Sequence, residues 1–361
     1  MRWSCALVLA CGCSVDGSSV TKDQLGARMF SDPGMSNPTG QACADCHHPQ
    51  FTFRDPEGDH TTSMGVVQGR FGTRNTPSLL YSAYVPPLHF DDANQRWVGG
   101  LFWDGRAATL EEQAAGPLMN PREMNNPDKA TVVDHVRHAP YAEQFLELYG
   151  PHALDDVDDA FAHVGDALAA YERSPVLAPF SSKYDHVMAG TATFTPAEHR
   201  GLALFEDPAR GNCASCHPAP MFTDYGYANL GVPKYAADGS PDLGLGAIVG
   251  DPAQDGKFRV PTLRNIAHTA PYSHDGYFEN LAFLLDFLAT RDTGSRDVAT
   301  CSRAAGSQAI CPWPAAEVLA NVDARVGHLP LDARDQADLL AFLETLSDQV
   351  SVPPPPPRRA R

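Results

Sequence analysis

The chain has 361 residues, enough for two domains of ordinary size. Its formal net charge of −17 argues against nucleic-acid binding, because no basic stripe exists to neutralise phosphates, and favours a basic or locally complementary redox partner. No run of about 18 apolar residues is present, so the sequence predicts no membrane-spanning segment.

Residues 1–20 are predicted to be an export signal. Arg2 supplies a positive charge and Ala6–Ala10 a short apolar core, and an export signal predicts a periplasmic protein. The residues before Cys11 loosely match a bacterial lipobox, so Cys11 or Cys13 is a candidate lipid acceptor. A lipid would anchor the chain facing the periplasm or the cell surface. A leader without function is the alternative interpretation.

The pentapeptide C-x-x-C-H occurs twice, once in each half of the chain. In this motif both thiols can form thioethers to the vinyl groups of haem, and the adjacent histidine becomes an iron ligand. Zinc sites or redox dithiols are the alternative, but zinc needs a second ligand pair and a dithiol does not need the histidine. The sequence therefore predicts two covalently bound haem c groups, on Cys43, Cys46 and His47 and on Cys213, Cys216 and His217.

A helix, a loop and a Phe-Thr pair surround each motif, so the chain contains a degenerate internal repeat. Helices are predicted at Lys22–Phe30 and Pro196–Phe205, ahead of the two motifs. Phe51-Thr52 and Phe222-Thr223 follow them. This pattern predicts a mainly α fold of two tandem class I cytochrome c-like domains, each wrapping one haem.

The predicted haem domains are residues 21–185 and residues 190–350, because Pro, Ser and Gly cluster between residues 174 and 195. No stretch shows the period-two alternation that is typical of strands. Helical spacing predicts five further helices, at Thr109–Gly116, Asp128–Tyr149, Asp155–Arg173, Leu281–Thr290 and Leu331–Ser347.

Two features near the C-terminus are predicted to be structural or disordered. Cys301 and Cys311 lie outside the leader and both motifs, and in an oxidising compartment their disulfide would contribute about 2–3 kcal/mol. The run Pro353–Pro357 and the arginines after it cannot bury a core, so residues 351–361 are predicted to be a disordered tail.

Five longer segments carry a family resemblance: Arg74–Pro77, Phe102–Gln113, Gly116–Met124, Val260–Asn265 and Thr269–Gly276. In sequence and order they resemble the bacterial dihaem cytochrome c peroxidase and MauG family, over residues 22–348. Relatives within that family include MbnH-type enzymes, which act on a copper-binding partner. The motifs do not separate that subgroup from the others.

By this resemblance the haem on His47 is expected to react with hydrogen peroxide. Glu123 matches the family's distal carboxylate, which would move a proton between the two peroxide oxygens. Gln113 matches a distal-pocket amide, and Pro117 matches a wall of that pocket. A solvated carboxylate at the start of a helix is the alternative interpretation of Glu123.

Trp103 matches the tryptophan that lies between the two haems in this family. Its indole can carry a hole between metals that are too far apart for direct contact, whereas a buried core tryptophan is the alternative. Asn75, Thr269 and Pro271 match the family's inter-haem calcium site, where side-chain and backbone oxygens suit a hard cation. Ordinary turn chemistry is the alternative for these three residues.

The sequence departs from the family pattern at two positions. Peroxidases that need reductive activation place a distal histidine within the segment corresponding to Met64–Thr73, which contains none here. The first haem is therefore expected to be open and five-coordinate, as in MauG. The sixth ligand of the second haem, Met or Tyr in the family, corresponds to Leu288. The nearest replacements in sequence are His268 and Tyr272, and His274 matches a residue outside the ligand shell.

The resemblance implies a periplasmic dihaem oxidase in which oxidising equivalents from peroxide pass through Trp103 to the second haem. As a peroxidase it would draw electrons from a small soluble cytochrome or cupredoxin. As a MauG-like enzyme it would oxidise a Trp or Tyr residue of a partner protein. The two departures from the family pattern, the absent distal histidine and Leu288 at the ligand position, favour this second function. A non-catalytic electron carrier or a haem sensor is the alternative from a different class of protein.

Overall fold

The computed structural model describes residues 20–56, 61–234, 239–294 and 312–349. The predicted export signal, the Cys301–Cys311 pair and the tail at 351–361 lie outside the described residues, apart from Val20. Within these ranges the helices are α1 (Lys22–Phe30), α2 (Cys43–Cys46), α3 (Leu110–Met119), α4 (Lys129–His138), α5 (Ala142–Tyr149), α6 (Val157–Glu172), α7 (Lys183–Met188), α8 (Pro196–Glu206), α9 (Leu245–Val249), α10 (Leu281–Thr290) and α11 (Ala333–Glu344).

The described chain is largely helical, with two small antiparallel sheets. One pairs β1 (His89–Asp91) with β2 (Arg96–Val98), and the other pairs β3 (Tyr227–Ala228) with β4 (Phe258–Arg259). In the described ranges, no helix combines the length and the apolar character that crossing a membrane requires.

Most predicted helices are present, and two of them, α1 and α10, have the predicted ends. The prediction of one helix over Asp128–Tyr149 is wrong, because the segment forms α4 and α5 with a break between them. Ala139 has an extended ψ of 151° and precedes Pro140. Proline disfavours the helical conformation in the residue before it and has no N–H to donate, which explains the break.

Buried apolar side chains form two large clusters that follow one another along the chain. The first draws on residues between Leu25 and Leu177, and the second on residues between Tyr184 and Leu346. A smaller group around Leu101 and Ala169 adjoins the first. The division into two cytochrome c-like domains stays a prediction.

A glycine lies at a close helix crossing in each cluster. A Cβ atom on Gly26 of α1 would lie 1.9 Å from the backbone oxygen of Ala167 in α6. A Cβ atom on Gly201 of α8 would lie 2.0 Å from the backbone oxygen of Asp338 in α11. The helix that precedes each C-x-x-C-H motif is thus packed backbone to backbone against a later helix, a parallel that extends the internal repeat.

Candidate active site

One cavity of about 480 Å³ is lined by residues from both halves of the chain. The catalytic, haem-binding and calcium-binding residues that the sequence predicts within the described ranges all line this cavity. These are Cys43, Cys46, His47, Asn75, Trp103, Gln113, Pro117, Glu123, Cys213, Cys216, His217, Thr269 and Pro271. Residues up to 228 positions apart in sequence therefore share one space.

The thiols of both motifs are free and line the cavity. Burial raises the pKa of the Cys43 thiol and of the Cys213 thiol to about 12 each. Reactive dithiols have lowered pKa values, so these environments do not suit redox dithiols. Within the described ranges, no group of three or more His, Cys, Asp or Glu side chains is placed to hold a metal ion, so neither motif has the second ligand pair that zinc needs.

The two motif histidines are oriented in the same way. The Nδ1 atom of His47 lies 3.1 Å from the carbonyl oxygen of Phe53, and that of His217 lies 2.9 Å from the carbonyl oxygen of Phe222. A carbonyl only accepts, so Nδ1 carries the proton in each ring and Nε2 keeps its lone pair for a metal. Burial lowers the pKa of both imidazoles, which favours the neutral form that binds iron.

The two carbonyls that orient these histidines belong to residues that the sequence did not identify as functional. Phe53 has a φ of 56° and Phe222 a φ of 52°, and both side chains are fully buried. A left-handed conformation is rare for phenylalanine, and such strain often occurs where a functional group must be aimed. The repeated Phe-Thr pair marks the second of these residues, Phe222, but not the first, because the pair after the first motif is Phe51-Thr52 and Phe53 follows it.

Glu123 lies in a pocket on the N-terminal side of the cavity. Its Oε1 atom accepts a hydrogen bond of 2.8 Å from the Asn120 side chain. Burial is the main influence on this carboxyl and raises its pKa, while Arg106, which also lines the cavity, and Asn120 act in the opposite direction. The carboxyl therefore releases its proton at a higher pH than an ordinary glutamate does.

Helix α3 supplies the other two predicted pocket residues. Gln113 and Pro117 are four positions apart, so both project from one face of the helix, and both line the cavity. The helix begins after Thr109, whose hydroxyl accepts a hydrogen bond of 3.2 Å from the Glu112 N–H. The fixed start of α3 places this face toward the cavity.

The loop formed by Met64–Thr73 closes the same pocket without supplying an imidazole. Its backbone lies against the Glu123 segment: the Val66 N–H donates to the Glu123 carbonyl at 2.9 Å, and a Cβ atom on Gly65 would lie 2.2 Å from the Arg122 carbonyl. In the described part of the chain, the histidines that line the cavity are His47, His217 and His274. His60 lies outside that part.

Trp103 is bonded to both halves of the chain. Its indole N–H donates to the Asn75 carbonyl oxygen at 2.9 Å, and its own carbonyl accepts from the Arg259 N–H at 2.8 Å. The side chain is half-buried and lines the cavity. Its position in the cavity shared by the two motifs suits a group that carries charge between them.

The predicted calcium ligands are close together but are bonded to protein atoms. The Asn75 amide donates to the Pro271 carbonyl at 2.8 Å and to the Ser273 carbonyl at 3.2 Å. The Thr269 hydroxyl lies 3.3 Å from the Ile266 carbonyl. The Asn75 amide thus bonds one half of the chain to the other, and the calcium ion stays a prediction.

On the C-terminal side, helix α10 lines the cavity with a stripe of leucines. Leu288 is one of them, as the register predicted, and the others are Leu281, Leu284 and Leu285. The spacing of 0, 3, 4 and 7 residues gives one helix face. The structure thus places the Leu288 side chain at the cavity wall, and its match to the family's sulfur or phenol ligand stays a prediction.

The candidate replacement ligands are occupied elsewhere. His268 is exposed, lies 3.7 Å from Glu344 and does not line the cavity. Tyr272 lines the cavity, but its hydroxyl donates to the Ile266 carbonyl at 2.8 Å. His274 lies with Nε2 3.2 Å from a carboxylate oxygen of Glu317. None of the three is free to bind iron as placed.

Two polar residues that sequence reasoning missed also line the cavity. Arg259 has no carboxylate partner among the described residues, and burial lowers the pKa of its guanidinium. The Tyr225 hydroxyl is buried and has no hydrogen-bond partner there. The Arg259 guanidinium donates to the Phe102 carbonyl at 3.3 Å, which does not neutralise its charge. A buried cation without a counter-charge and a phenol without a partner suit an anionic ligand inside the cavity, and haem carries two propionates, so the chain's residues fit this cofactor.

Comparisons with known proteins agree with this geometry. The family described as di-haem cytochrome c peroxidase matches residues 21–193. The methylamine utilization protein MauG of Paracoccus denitrificans is 41% identical over 350 residues, which cover 90% of this chain and 88% of that protein.

Two solved structures are similar over most of their length. The diheme peroxidase BthA of Burkholderia thailandensis has a TM-score of 0.79 and 34% identity, covering 91% of this chain and 86% of its own. A MauG-like protein associated with microbial copper homeostasis has a TM-score of 0.71 and 31% identity, covering 93% and 92%. The chain therefore belongs to the di-haem cytochrome c peroxidase and MauG family of peroxide-dependent oxidoreductases.

Proposed function

We propose that this protein is a periplasmic dihaem oxidase that uses hydrogen peroxide to oxidise a residue of a partner protein, in the manner of MauG. The observation that carries the proposal is the shared cavity, in which both C-x-x-C-H motifs, Glu123 and Trp103 line one space. Chemistry that begins beside one motif can reach the other within this cavity.

Each motif would hold one haem c. Cys43 and Cys46 would form the thioethers of the first haem and His47 would bind its iron, and the second motif would do the same with its own three residues. When bound, the haem iron supplies the redox chemistry of peroxide reduction and stores the resulting oxidising equivalents. Arg259 and Tyr225 would meet the propionates.

Glu123 would handle the proton of peroxide. An ionised carboxylate can take the proton from the oxygen that approaches the iron and return it to the oxygen that leaves as water, which promotes O–O cleavage. The 2.8 Å bond from Asn120 fixes the direction of the carboxylate, and Gln113 offers an amide on the same side.

Trp103 would carry oxidising equivalents between the two haems. The hydrogen bonds of 2.9 Å to Asn75 and 2.8 Å from Arg259 hold the indole and its backbone at the contact between the halves. A rigid position favours charge transfer, because little reorganisation accompanies the loss or gain of an electron.

Two observations favour a protein substrate over a small redox donor. The Met64–Thr73 loop contributes no histidine to the cavity, and Leu288, which the family resemblance matches to the second haem's ligand, lines the cavity with an alkyl side chain. A peroxidase that draws electrons from a small redox protein is the second candidate. A copper-binding substrate is a further option, because one similar structure is a MauG-like protein associated with copper homeostasis.

Two accessory features complete the proposal. A calcium ion would bind where Asn75, Thr269 and Pro271 meet, since carbonyl and hydroxyl oxygens suit this cation. The predicted export signal would direct the protein to the periplasm, where c-type haem is attached, with a lipid anchor if Cys11 or Cys13 is acylated.

Rapid mixing of the purified dihaem protein with hydrogen peroxide tests the proposal. We expect a fast change in the haem absorption spectrum without any added reductant, because an open iron reacts directly. A spectrum that stays unchanged would remove the peroxide-using function. Mass spectrometry of partner proteins after the reaction separates residue oxidation from simple electron donation.

A further inference from the structure

We infer that oxidising equivalents leave the cavity for the protein surface through Tyr81 and Tyr84, with Asp348 as the proton acceptor of Tyr81. The inference rests on the proposed function, in which peroxide generates oxidising equivalents within the cavity. The inference adds the route by which the oxidising equivalents reach a partner protein, which is too large to enter the cavity.

Tyr81 is a buried residue that lines the cavity and bridges the two halves of the chain. Its side chain is 2% exposed, and its hydroxyl donates a hydrogen bond of 2.6 Å to Asp348 Oδ2. Tyrosine oxidised to a neutral radical must lose its phenolic proton, so a carboxylate at this distance is the partner that the reaction needs.

The other oxidisable aromatic residues that line the cavity lack such a partner. The Tyr225 hydroxyl has no hydrogen-bond partner among the described residues. The Tyr272 hydroxyl donates to the Ile266 carbonyl, which cannot take up a proton at ordinary pH. Trp103 donates to a carbonyl as well. Tyr81 is thus the cavity tyrosine with a base in place.

A second tyrosine continues from Tyr81 to the surface. The ring centroids of Tyr81 and Tyr84 are 6.4 Å apart, and the Tyr84 side chain is 47% exposed. Phe180, which is 37% exposed, packs edge-on against both rings at 5.0 and 5.5 Å. These three rings form a continuous aromatic contact from the cavity wall to solvent.

The charges around Tyr81 favour loss of the proton together with the electron. The Arg264 guanidinium lies 5.0 Å from the Tyr81 ring centroid and opposes a positive charge on that ring. Arg264 is paired with Asp185, at 2.9 and 3.0 Å. Besides the phenol, Asp348 accepts from neutral donors, the Asn265 amide and the Ser181 N–H, each at 2.7 Å. A neutral radical is therefore the favoured oxidised form.

The transfer balances as three one-electron steps. Tyr81 gives one electron to the peroxide-derived oxidant in the cavity and its phenolic proton to Asp348, which leaves a neutral tyrosyl radical. Tyr84 then gives an electron to Tyr81, the proton returns from Asp348 to Tyr81, and the Tyr84 proton passes to solvent. The radical on Tyr84 takes an electron from the partner protein and a proton from solvent, which restores Tyr84 and leaves the partner oxidised by one electron.

The test is to react the dihaem protein with hydrogen peroxide and the spin trap 2-methyl-2-nitrosopropane, without reductant, and to map adducts by peptide mass spectrometry. We expect adducts on Tyr84 in the unmodified protein and their loss in Tyr81→Phe. Tyr141→Phe is the matched control, because Tyr141 is buried and donates to Asp32 at 2.6 Å but does not line the cavity. Its adduct yield on Tyr84 should be unchanged.

Several results would overturn the inference. A haem spectrum that responds to peroxide while Tyr84 stays unlabelled would exclude the exit but leave the proposed function standing. A spectrum that does not respond would remove both. If Tyr81→Phe does not fold, the variant Tyr84→Phe provides the test. After reaction with peroxide this variant should still show the electron paramagnetic resonance signal of a tyrosyl radical, on Tyr81. Complete absence of that signal would contradict the relay.

Discussion

The indole N–H of Trp103 donates a hydrogen bond of 2.9 Å to the carbonyl oxygen of Asn75. The side chain of Asn75 donates in turn to the Pro271 carbonyl at 2.8 Å, in the other half of the chain. The orientation of the proposed charge carrier is thus coupled to the contact between the two halves. Substitution of Trp103 or Asn75 should therefore change the transfer of oxidising equivalents between the haems more than it changes the covalent attachment of haem.

Replacing Trp103 with Phe should separate peroxide reaction from substrate oxidation. Phenylalanine keeps an aromatic ring in the cavity wall but lacks the N–H and is much harder to oxidise. We expect an unchanged rate of peroxide reaction in rapid mixing and a loss of turnover with a protein substrate or donor. Trp97→Phe is the control, since Trp97 lies in the β1–β2 hairpin and does not line the cavity. Loss of both activities in Trp103→Phe would indicate a packing role.

Both motifs are complete, so the mature protein should carry two covalent haems. Intact mass spectrometry of the exported protein should show the added mass of two haem groups. The double variant Cys213→Ala, Cys216→Ala should carry one haem, because the Cys43 and Cys46 thiols remain. A mass with one haem in the unmodified protein would contradict the proposed assignment of the motifs.

Much of the site could be predicted because its signals are local in sequence. The two pentapeptides are short-range patterns, and Gln113, Pro117 and Leu288 are assigned from segments that match the family; the structure brings these residues into one cavity. The α10 helix has its predicted start because Asn280 caps it, with its side chain accepting from the Phe283 N–H at 2.9 Å.

The features that sequence reasoning missed depend on contacts between distant segments. The left-handed conformation of Phe53 and Phe222 is maintained by tertiary packing and is not favoured by the residue type. Tyr225 and Arg259 gain meaning only from the fold, which leaves the Tyr225 hydroxyl without a partner among the described residues and gives the Arg259 guanidinium a carbonyl, that of Phe102, in place of a carboxylate. The spacing of residues along the sequence does not predict which buried polar group will lack a hydrogen-bond partner.

Substitution of Glu123 by Gln should slow the reaction with peroxide. A positioned proton shuttle contributes about 10²–10⁴ in rate, and an amide cannot accept the proton. Haem content should be unchanged, because Glu123 holds neither thioether nor iron. Glu147→Gln, an exposed change on α5, is the control for the loss of a negative charge. A normal rate in Glu123→Gln would make Glu123 a structural residue.

The same carboxyl predicts a pH dependence. Burial raises the pKa of Glu123 above 4.5, the ordinary value for glutamate. Since the carboxylate acts as a base only when ionised, the rate of the peroxide reaction should rise with pH, with a midpoint above 4.5. Rapid-mixing rates across a pH series should show this rise in the unmodified protein and not in Glu123→Gln.

Glu172, at the end of α6, should destabilise the protein at neutral pH. Its side chain is 5% exposed, and its nearest polar contact is the Ser82 hydroxyl at 3.5 Å. Burial raises the pKa of this carboxyl to about 8, so the folded state binds its proton more tightly than the unfolded state. Stability is therefore fully present below the unfolded value and is lost as the pH rises toward 8.

The change Glu172→Gln should remove this pH-dependent loss. We expect a gain of up to about 3 kcal/mol in the free energy of unfolding at pH 7, and little gain at pH 4. Calorimetric melting at the two pH values measures the difference. Glu111→Gln is the opposite control, because Arg173 lies 2.6 Å away and lowers the pKa of Glu111. A gain for Glu172→Gln that is equal at both pH values would exclude titration as its cause.

Leu288 should leave the second haem without its family ligand, and Leu288→Tyr should restore one. The side chain lines the cavity from α10, and the nearby candidates Tyr272 and His274 are bonded to Ile266 and Glu317. The haem should therefore be five-coordinate or bind water in the unmodified protein. Because axial ligand identity strongly influences redox potential, a restored phenol should also lower the potential of this haem.

Electron paramagnetic resonance and absorption spectra measure this change directly. We expect Leu288→Tyr to give a new six-coordinate low-spin or phenolate-ligated signal that the unmodified protein lacks. Leu281→Tyr is the matched control, since it makes the same substitution on the same cavity-lining face, two helical turns away. A His–Met or His–Tyr signal in the unmodified protein would show that a residue other than the one at position 288 supplies the ligand. In that case the match of Leu288 to the family's ligand position would be wrong. A new signal that appears only in Leu288→Tyr would instead place the side chain at position 288 over the iron.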